Sequence, residues 1–447
     1  MKTMKKSYLY TVLFLALLSS CKNFLEVEPR ASISDDETIT DKASAETAIR
    51  GIYNASRSYY SVGFQSIAYL SGDNVQWTGS QSQVQEFINH NVSPENATIS
   101  SSWNGIYVSI NRANNAIAKL PGVADPLLTS EQKNQLLGEA YFLRALNYFD
   151  LVRVWAGVPI ITQPTLSAAD NRGIARSSKE ETYAQVIKDL DAAEPLLMET
   201  TDRYRATRKT VWALKARFYL YQQNWVKAEE YAGKLIQDNN NYQLVKPFNS
   251  FFFPAAQKGT PESVFEFFYS TNELNEHRGQ WQPQQNGGTR QWAPSNGLIT
   301  LLTNPLTAGT RNTLIAKDNQ NRWYGNLYYR SPGTDPTYVI RIAELYLIRA
   351  EAHAQLGNIS NAMADLDKIR FRADLPPTSA NSQEALLLAI EEERRLEFAF
   401  EAHRWFDLVR TNRADDILAI KDANKMVLPI PVSQLLIDDV LTQNPGY

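Results

Sequence analysis

Ala216-Arg-Phe-Tyr-Leu-Tyr-Gln-Gln-Asn-Trp225 runs on into Ala228-Glu-Glu-Tyr231-Ala232. The same arrangement returns at Ala350-Glu-Ala-His-Ala-Gln-Leu-Gly357-Asn358, which continues into Ala362-Met-Ala-Asp-Leu366. Each stretch reads as a helix, a polar turn and a second helix, with small residues twelve positions apart at Ala216/Ala228 and Ala350/Ala362. Small residues at facing positions let antiparallel helices approach closely, which is the packing of tetratricopeptide-like hairpins. Two ordinary hairpins with chance alanines would look the same, so the surrounding sequence has to decide. The copies lie 134 residues apart, which is not the period of a tandem array.

Helical period continues on the N-terminal side. Ser102 to Leu120 repeats Trp103, Ile106, Tyr107, Ile110, Ala113 and Ile117 at helical spacing and stops at Pro121-Gly122. Ser130 to Ala156, Glu181 to Met198, Thr207 to Gln222 and Trp225 to Asp238 follow as further helices. Between Asn241 and about Tyr338 the period fails. That segment is rich in Asn, Gln, Gly, Pro and Thr. Residues 251–330 hold thirteen aromatics in eighty positions, about 16% against 11% overall, so the stretch has material for a core of its own. Phe251-Phe-Phe-Pro254 and Val264-Phe-Glu-Phe-Phe-Tyr269 read as short strands or buried turns. A structureless insert of this length is unusual in a compact domain. The expected fold is therefore mainly α: a tetratricopeptide-like helical-hairpin scaffold, about 42–240 and 339–447, carrying a loop-rich, irregular mixed subdomain at about 241–338.

The N-terminus gives an address. Lys2, Lys5 and Lys6 precede a ten-residue apolar run, Leu9 to Leu18, too short to span a bilayer as a helix. Leu18-Ser-Ser-Cys21 follows and resembles a bacterial lipobox, in which Cys21 would become the first mature residue and carry the lipid. It is the one cysteine of 447 residues, so no intramolecular disulfide and no zinc site with two thiolates can form. Loss of residues 1–20 as a signal peptide removes three lysines and no acid, taking 45 basic against 48 acidic residues to 42 against 48. Near-neutral charge without basic runs argues against nucleic acid as a partner. Histidines at 90, 277, 353 and 403 form no HExxH pair, and no Walker loop, GxGxxG or EF-hand spacing occurs. Neither a cofactor nor a metal is expected.

Several blocks in order make the chain resemble the SusD/RagB family of outer-membrane nutrient-binding lipoproteins of the Bacteroidetes. They are Cys21-Lys-Asn-Phe-Leu-Glu-Val-Glu-Pro29, Ala48-Ile-Arg-Gly51-Ile-Tyr53, Ala140-Tyr-Phe-Leu-Arg144 through Arg153 with Gly157-Val-Pro159, and Arg341-Ile-Ala-Glu344 through Ala352. The most specific is Glu393-Arg-Arg-Leu-Glu397-Phe-Ala-Phe-Glu401-Ala-His-Arg404-Trp-Phe-Asp407-Leu-Val-Arg410. The resemblance implies a lipid-anchored cell-surface protein without catalytic activity. It would capture an oligosaccharide or polysaccharide and deliver it to a SusC-like TonB-dependent outer-membrane porin. The RagB branch implies a peptide instead.

Within the irregular segments, Trp77, Trp281, Trp292, Trp323, Tyr324, Tyr328 and Tyr329 sit beside amides and prolines. Aromatic faces with flanking hydrogen-bonding groups suit the C–H faces and hydroxyl rims of sugars. Asp73 and Asn74 join them as polar candidates, because the family often places its site near this loop. The alternative reading is that these aromatics are core residues of the subdomain. Trp103, Trp155, Trp212, Trp225 and Trp405 lie on helical core faces and are set aside. Glu393, Glu397 and Glu401 recur at i, i+4 and i+8, a spacing that could pair carboxylates for a glycoside hydrolase. On one helix, such residues are more simply an ion-pair face.

Overall fold

The structure is a computed structural model and describes residues 38–167, 170, 172–253 and 259–447. The signal segment 1–20 and Cys21 lie outside the described residues. The fold is mainly α, as expected. Its helices begin where side chains can take up free backbone N–H groups. Asp41 accepts from Ser44 N at 2.8 Å and opens α1 (Lys42–Tyr59). α2 (Gly63–Leu70), β1 (Val75–Trp77) and α3 (Ser82–Ile88) follow. α4 (Ala97–Lys119) starts five residues before the helix expected at Ser102, because the Asn96 side chain accepts from Thr98 N. Ile99 is the one buried apolar residue of that first turn, so periodicity alone gave too weak a signal there.

Capping boxes at Thr129/Gln132 and Ser178/Glu181 open α5 (Ser130–Trp155) and α6 (Lys179–Leu196). α7 (Arg208–Tyr221) and α8 (Trp225–Ile236) form the first alanine-marked hairpin. Next come β2 (Ser263–Phe267), α9 (His277–Trp281), β3 (Trp292–Pro294), α10 (Asn296–Thr303), α11 (Pro305–Ala308), β4 (Ile315–Lys317), β5 (Trp323–Gly325) and β6 (Thr337–Arg341). α12 (Ile342–Gln355) and α13 (Ile359–Arg372) form the second hairpin, followed by α14 (Gln383–Glu397), α15 (Arg404–Arg410), α16 (Ala414–Leu418) and α17 (Val432–Leu435).

The two hairpins are separated in sequence and adjacent in space. α8 packs directly on α12, so α5, α6, α7, α8, α12, α13 and α14 make one continuous stack. Ala216, Ala228, Ala350 and Ala362 are all fully buried, as close helix approach requires. α12 is apolar on two faces: Ile342, Leu345 and Ile348 join the main core, while Ala343, Leu347 and Ala350 join a second core under α13 and α14. A helix between two cores loses its amphipathic stripe.

Charge pairs fasten the stack. Arg144 on α5 meets Asp189 on α6 at 2.7 Å, Arg217 on α7 meets Glu344 on α12 at 2.7 Å, and Arg410 on α15 meets Glu351 on α12 at 2.6 Å. The carboxylates of the 393–401 block are buried in the same way, but not as one helix face. α14 ends at Glu397, and Phe398 to His403 turn the chain into α15, so Glu401 lies beyond the helix. Nor do Glu393, Glu397 and Glu401 pair with the arginines interleaved among them. Their partners come from distant segments: Arg311 to Glu393 and Glu397, Arg341 to Glu262, Glu397 and Glu401, and Arg372 to Glu262 and Glu397.

The irregular segment folds as three two-stranded antiparallel sheets. β2 pairs with β6, β4 with β5, and β1, from the N-terminal part of the chain, with β3. Val75 faces Pro294 and Trp77 faces Trp292. The β1–β3 pairing draws the loop after α2 onto the irregular subdomain.

Candidate ligand-binding site

The loop between α2 and β1 is fixed by the signature block. Asp73 Oδ1 accepts from Arg404 Nε at 2.6 Å, and its Oδ2 lies 2.9 Å from Arg395 Nη2. Burial pushes the Asp73 carboxyl up, but the hydrogen bond and charge of Arg404 and the charge of Arg395 outweigh it and hold the group below its usual range. Asn74 is buried; its Nδ2 donates to the Arg395 carbonyl and its Oδ1 accepts from Arg395 Nε, both at 3.0 Å. Ser295 N donates to the Asn74 carbonyl at 2.9 Å. These polar atoms already have partners within the protein, and in this structure Asp73 and Asn74 anchor the loop.

The aromatic candidates divide by burial. Trp281, Trp292 and Tyr328 are each about 1% exposed and meet edge-to-face with Tyr69, His277 and Phe400, at ring separations from 4.4 to 5.5 Å. Tyr324, on β5, is buried as well, at 8% exposure. The rings of Trp281, Trp292 and Tyr328 are taken up by these contacts, which is the core reading of the aromatics, not the ligand reading. They form the floor of the subdomain. β5 presses so closely on it that a Cβ at Gly325 would stand 2.6 Å from Trp281 Cε3. Burial also keeps the His277 imidazole neutral, pushing its pKa down to about 3 against the opposing bond to the Ser61 carbonyl.

Trp77 and Trp323 remain half-buried at the rim, with Tyr329 half-buried against Phe253 at 5.1 Å. Arg290 ties the two tryptophan segments together. Its carbonyl accepts from Thr78 Oγ1 at 2.5 Å, and its Nε donates to the Trp323 carbonyl at 2.8 Å. Arg290 does this from a left-handed conformation, φ 52°, uncommon for a residue other than glycine. Beside Trp77 opens a cleft of about 440 Å³ lined by Ser80, Gln81, Gln85, Asn89 and Asn91. A concavity of about 230 Å³ next to β5 is lined by Gln284, Gln285, Asn319, Gln320 and Arg322. Asn319 N donates to Gln285 Oε1 at 2.6 Å and joins the two loops that form it.

These amides were not singled out from the sequence. Their signal was the density of the runs Ser80-Gln-Ser-Gln-Val-Gln85, Gln282-Pro-Gln-Gln-Asn286 and Asp318-Asn-Gln-Asn-Arg322. A larger cavity, about 470 Å³, lies between α4 and residues 434–441. Its tryptophan, Trp103, is buried, and its half-buried Tyr107 has its hydroxyl bonded to the Pro159 carbonyl, so it offers no half-exposed indole.

The Trp77 indole packs against Gly79, where an added Cβ would sit 2.3 Å from Cζ2. Gly79→Ala is therefore expected to push the ring off its seat and weaken ligand binding about tenfold, with a melting temperature close to wild type. Titration of ligand by tryptophan fluorescence and a thermal melt measure the two effects. A tenfold loss corresponds to about 1.4 kcal/mol.

Nothing at this rim resembles a catalytic constellation. Glu393, Glu397 and Glu401 are buried against arginines, and His403 is held neutral by burial, its pKa near 3. Glu351 is paired with Arg410; the carboxylates nearest His353 are Glu229 at 3.7 Å and Asp365 at 3.9 Å, and Asp365 is itself paired with Arg349. Among the described residues, no group of three or more His, Cys, Asp or Glu is placed to hold a metal ion. No described helix is long and apolar enough to cross a membrane.

Comparison with known proteins agrees along the chain. A SusD-like family model described as starch-binding and associating with the outer membrane matches residues 23–220, and a SusD family model matches residues 267–425. SusD-like protein P38 of Formosa agariphila is 28% identical, with 99% of this chain and all of the relative aligned. A laminarin-binding SusD-like protein of known structure superposes with a TM-score of 0.80 at 26% identity, covering 92% of this chain and all of the other. A SusD superfamily protein from Bacteroides vulgatus superposes with a TM-score of 0.81 at 20% identity, covering 91% and 99%. Two family models in chain order, full-length relatives and a shared fold lead to one conclusion: this chain belongs to the SusD/RagB-like family.

Proposed function

We propose that this protein is a lipid-anchored, cell-surface glycan-binding protein that passes captured oligosaccharide to a partner TonB-dependent outer-membrane transporter. The observation that carries the glycan reading is the pair of half-buried indoles, Trp77 and Trp323, held by Arg290 between two amide-lined depressions. An indole face covers the apolar face of a sugar ring, and amides satisfy its hydroxyls in either direction. The laminarin-binding relative supports a polysaccharide of this general kind and makes laminarin the first probe. SusD-like proteins are binding proteins, and the buried pairing of every carboxylate in the signature block supports binding without turnover.

Anchoring at Cys21 and presentation over a porin would turn weak capture into a high local concentration at the channel mouth. Two acyl chains or more are needed for stable anchoring, which lipoprotein modification supplies. Cys21→Ala is expected to move the protein from the membrane fraction to the soluble fraction, read by fractionation of the producing cells. Retention of the protein in gels containing laminarin or other polysaccharides tests the glycan reading. Retention by none of them, with measurable affinity for peptides, would favour the RagB-like peptide reading. Copurification with a co-expressed porin partner tests delivery.

A further inference from the structure

Resting on the glycan reading, we propose that the saccharide bound at Trp323 is anionic, carrying a carboxylate or sulfate that sits among Lys317, Arg290 and Arg322. Lys317 faces Trp323 across the β4–β5 pair, and its Nζ lies 4.7 Å from the centre of the indole ring. Arg290 reaches the same residue from the other side through its Nε bond to the Trp323 carbonyl. Arg322, next in sequence, lines the amide concavity and is 46% exposed.

Three cationic residues therefore converge on the Trp323 segment: Lys317 against the ring, Arg290 on its carbonyl and Arg322 next to it in the chain. Asp318 is the carboxylate paired with any of them: its Oδ2 is 2.7 Å from Arg322 Nη2, and its Oδ1 accepts from the backbone N–H groups of Gln320 and Arg322. Among the described residues, neither Lys317 nor Arg290 has a carboxylate within ion-pair distance. Glu86, in the Trp77 cleft, is held by Ser93 N and Asn96 Nδ2. The local balance is three positive charges against one negative, in a chain whose formal charge is −3.

This contrasts with the arginines in and around the signature block. Arg311, Arg341, Arg394 and Arg410 are each paired with one or more carboxylates. The charge of Arg322 is felt at Arg290: burial lowers the Arg290 guanidinium pKa, and Arg322 lowers it further, against the pull of Asp318. A bound anion would relieve that repulsion. The indole requires the ligand to present a ring face as well, which a free inorganic anion does not. The chemistry that satisfies both is a uronate or a sulfated sugar, bound by charge-assisted hydrogen bonds beside a stacked ring.

The test uses the full-length protein and two matched pairs of polymers: polygalacturonate against its fully methyl-esterified form, and dextran sulfate against dextran. At least one anionic member is expected to bind about tenfold or more tightly than its neutral match. That advantage should shrink as salt rises, because exposed charges are screened. Which pair shows the preference names the group, carboxylate or sulfate. Lys317→Gln with Arg322→Gln leaves the Arg290 strut in place and should remove the advantage without moving the melting temperature.

Equal binding of both members of each pair, or an anionic preference that survives the double substitution, overturns the proposal. So does anionic binding that Trp323→Ala leaves intact, since that would be unspecific attraction to surface charge. Retention by no polymer, with binding of peptides, would instead bring down the glycan reading on which the proposal rests.

Discussion

Glu397→Gln is expected to lower folding stability by about 3–5 kcal/mol, the range for removing one partner from a buried ion pair. Glu397 is 1% exposed and faces Arg311 Nε at 3.0 Å, Arg341 Nη1 at 2.9 Å and Arg372. Glutamine keeps the shape but removes the charge, and its amide N–H₂ must then confront guanidinium donors. The pairs around it tie β6, α13, α14 and the segment at Arg311 to one another, so the loss reaches four parts of the fold. Denaturant unfolding followed by circular dichroism measures it. Should that variant fail to fold, Glu393→Gln gives a milder test, since one of the two arginines it pairs with, Arg370, is partly exposed. The pH dependence has a defined sign. Burial raises the Glu397 carboxyl, but the charges of Arg372, Arg341 and Arg311 win and bring it from 4.5 down to about 2. A depressed carboxyl stabilises the folded state fully above its unfolded value and ceases to do so as pH falls through the folded one. This contribution is therefore complete above about pH 4.5 and disappears as pH approaches 2. The same substitution separates binding from hydrolysis. A glycoside hydrolase using Glu397 would lose cleavage with little change in stability; the buried ion pairs call for a large stability change, and a binding protein would show no cleavage in either form.

The scaffold was legible because its signals are local. Alanines at helical spacing mark the hairpins, Asn, Gly and Pro mark their ends, and the Glu393–Arg410 block is contiguous. Register in space was not legible. Nothing near Trp225 or Ala350 says that α8 and α12 touch, since their approach depends on what the residues between them fold into. The same limit explains the site. Trp292 and Trp323 each open a three-residue strand, and nothing beside either in sequence marks which ring will be buried. Trp292 is buried because β3 pairs with β1, a segment from far earlier in the chain, while Trp323 ends at a sheet edge beside Lys317. Asp73 and Asn74 looked available because their partners, Arg395 and Arg404, are over three hundred residues away. A carboxylate or amide whose neighbours are all polar and local gives no hint that a distant arginine will meet it. What the sequence did carry, and what a reading centred on aromatics passed over, was the repeated clustering of Gln and Asn in the three loops that line the two depressions.

Trp77→Ala and Trp323→Ala are each expected to weaken glycan binding about thirtyfold, near 2 kcal/mol, the threshold at which a truncated interface residue counts as dominant. Together they should abolish measurable binding. Both rings sit at the rim of the core, so their removal should cost about 1 kcal/mol of stability or less, well below that of a buried aromatic. Trp281→Ala is the necessary contrast. Trp281 is about 1% exposed and packs on Tyr69, Trp292 and Phe400, so its truncation should cost about 3–5 kcal/mol. Any loss of affinity in that variant should follow the fraction unfolded. Titration of each variant with the polymer that wild type retains, beside a thermal melt, gives both quantities. If Trp281→Ala loses affinity while still folded and Trp323→Ala does not, the ligand enters the aromatic floor and the rim is misassigned. If the rim variants bind normally and the floor variant only unfolds, the ligand lies elsewhere, and the cavity between α4 and residues 434–441 becomes the place to search. The expected pattern, affinity lost at the rim and stability lost at the floor, follows from burial: Trp281 and Trp292 are enclosed by the core, while Trp77 and Trp323 keep part of their surface open to a ligand.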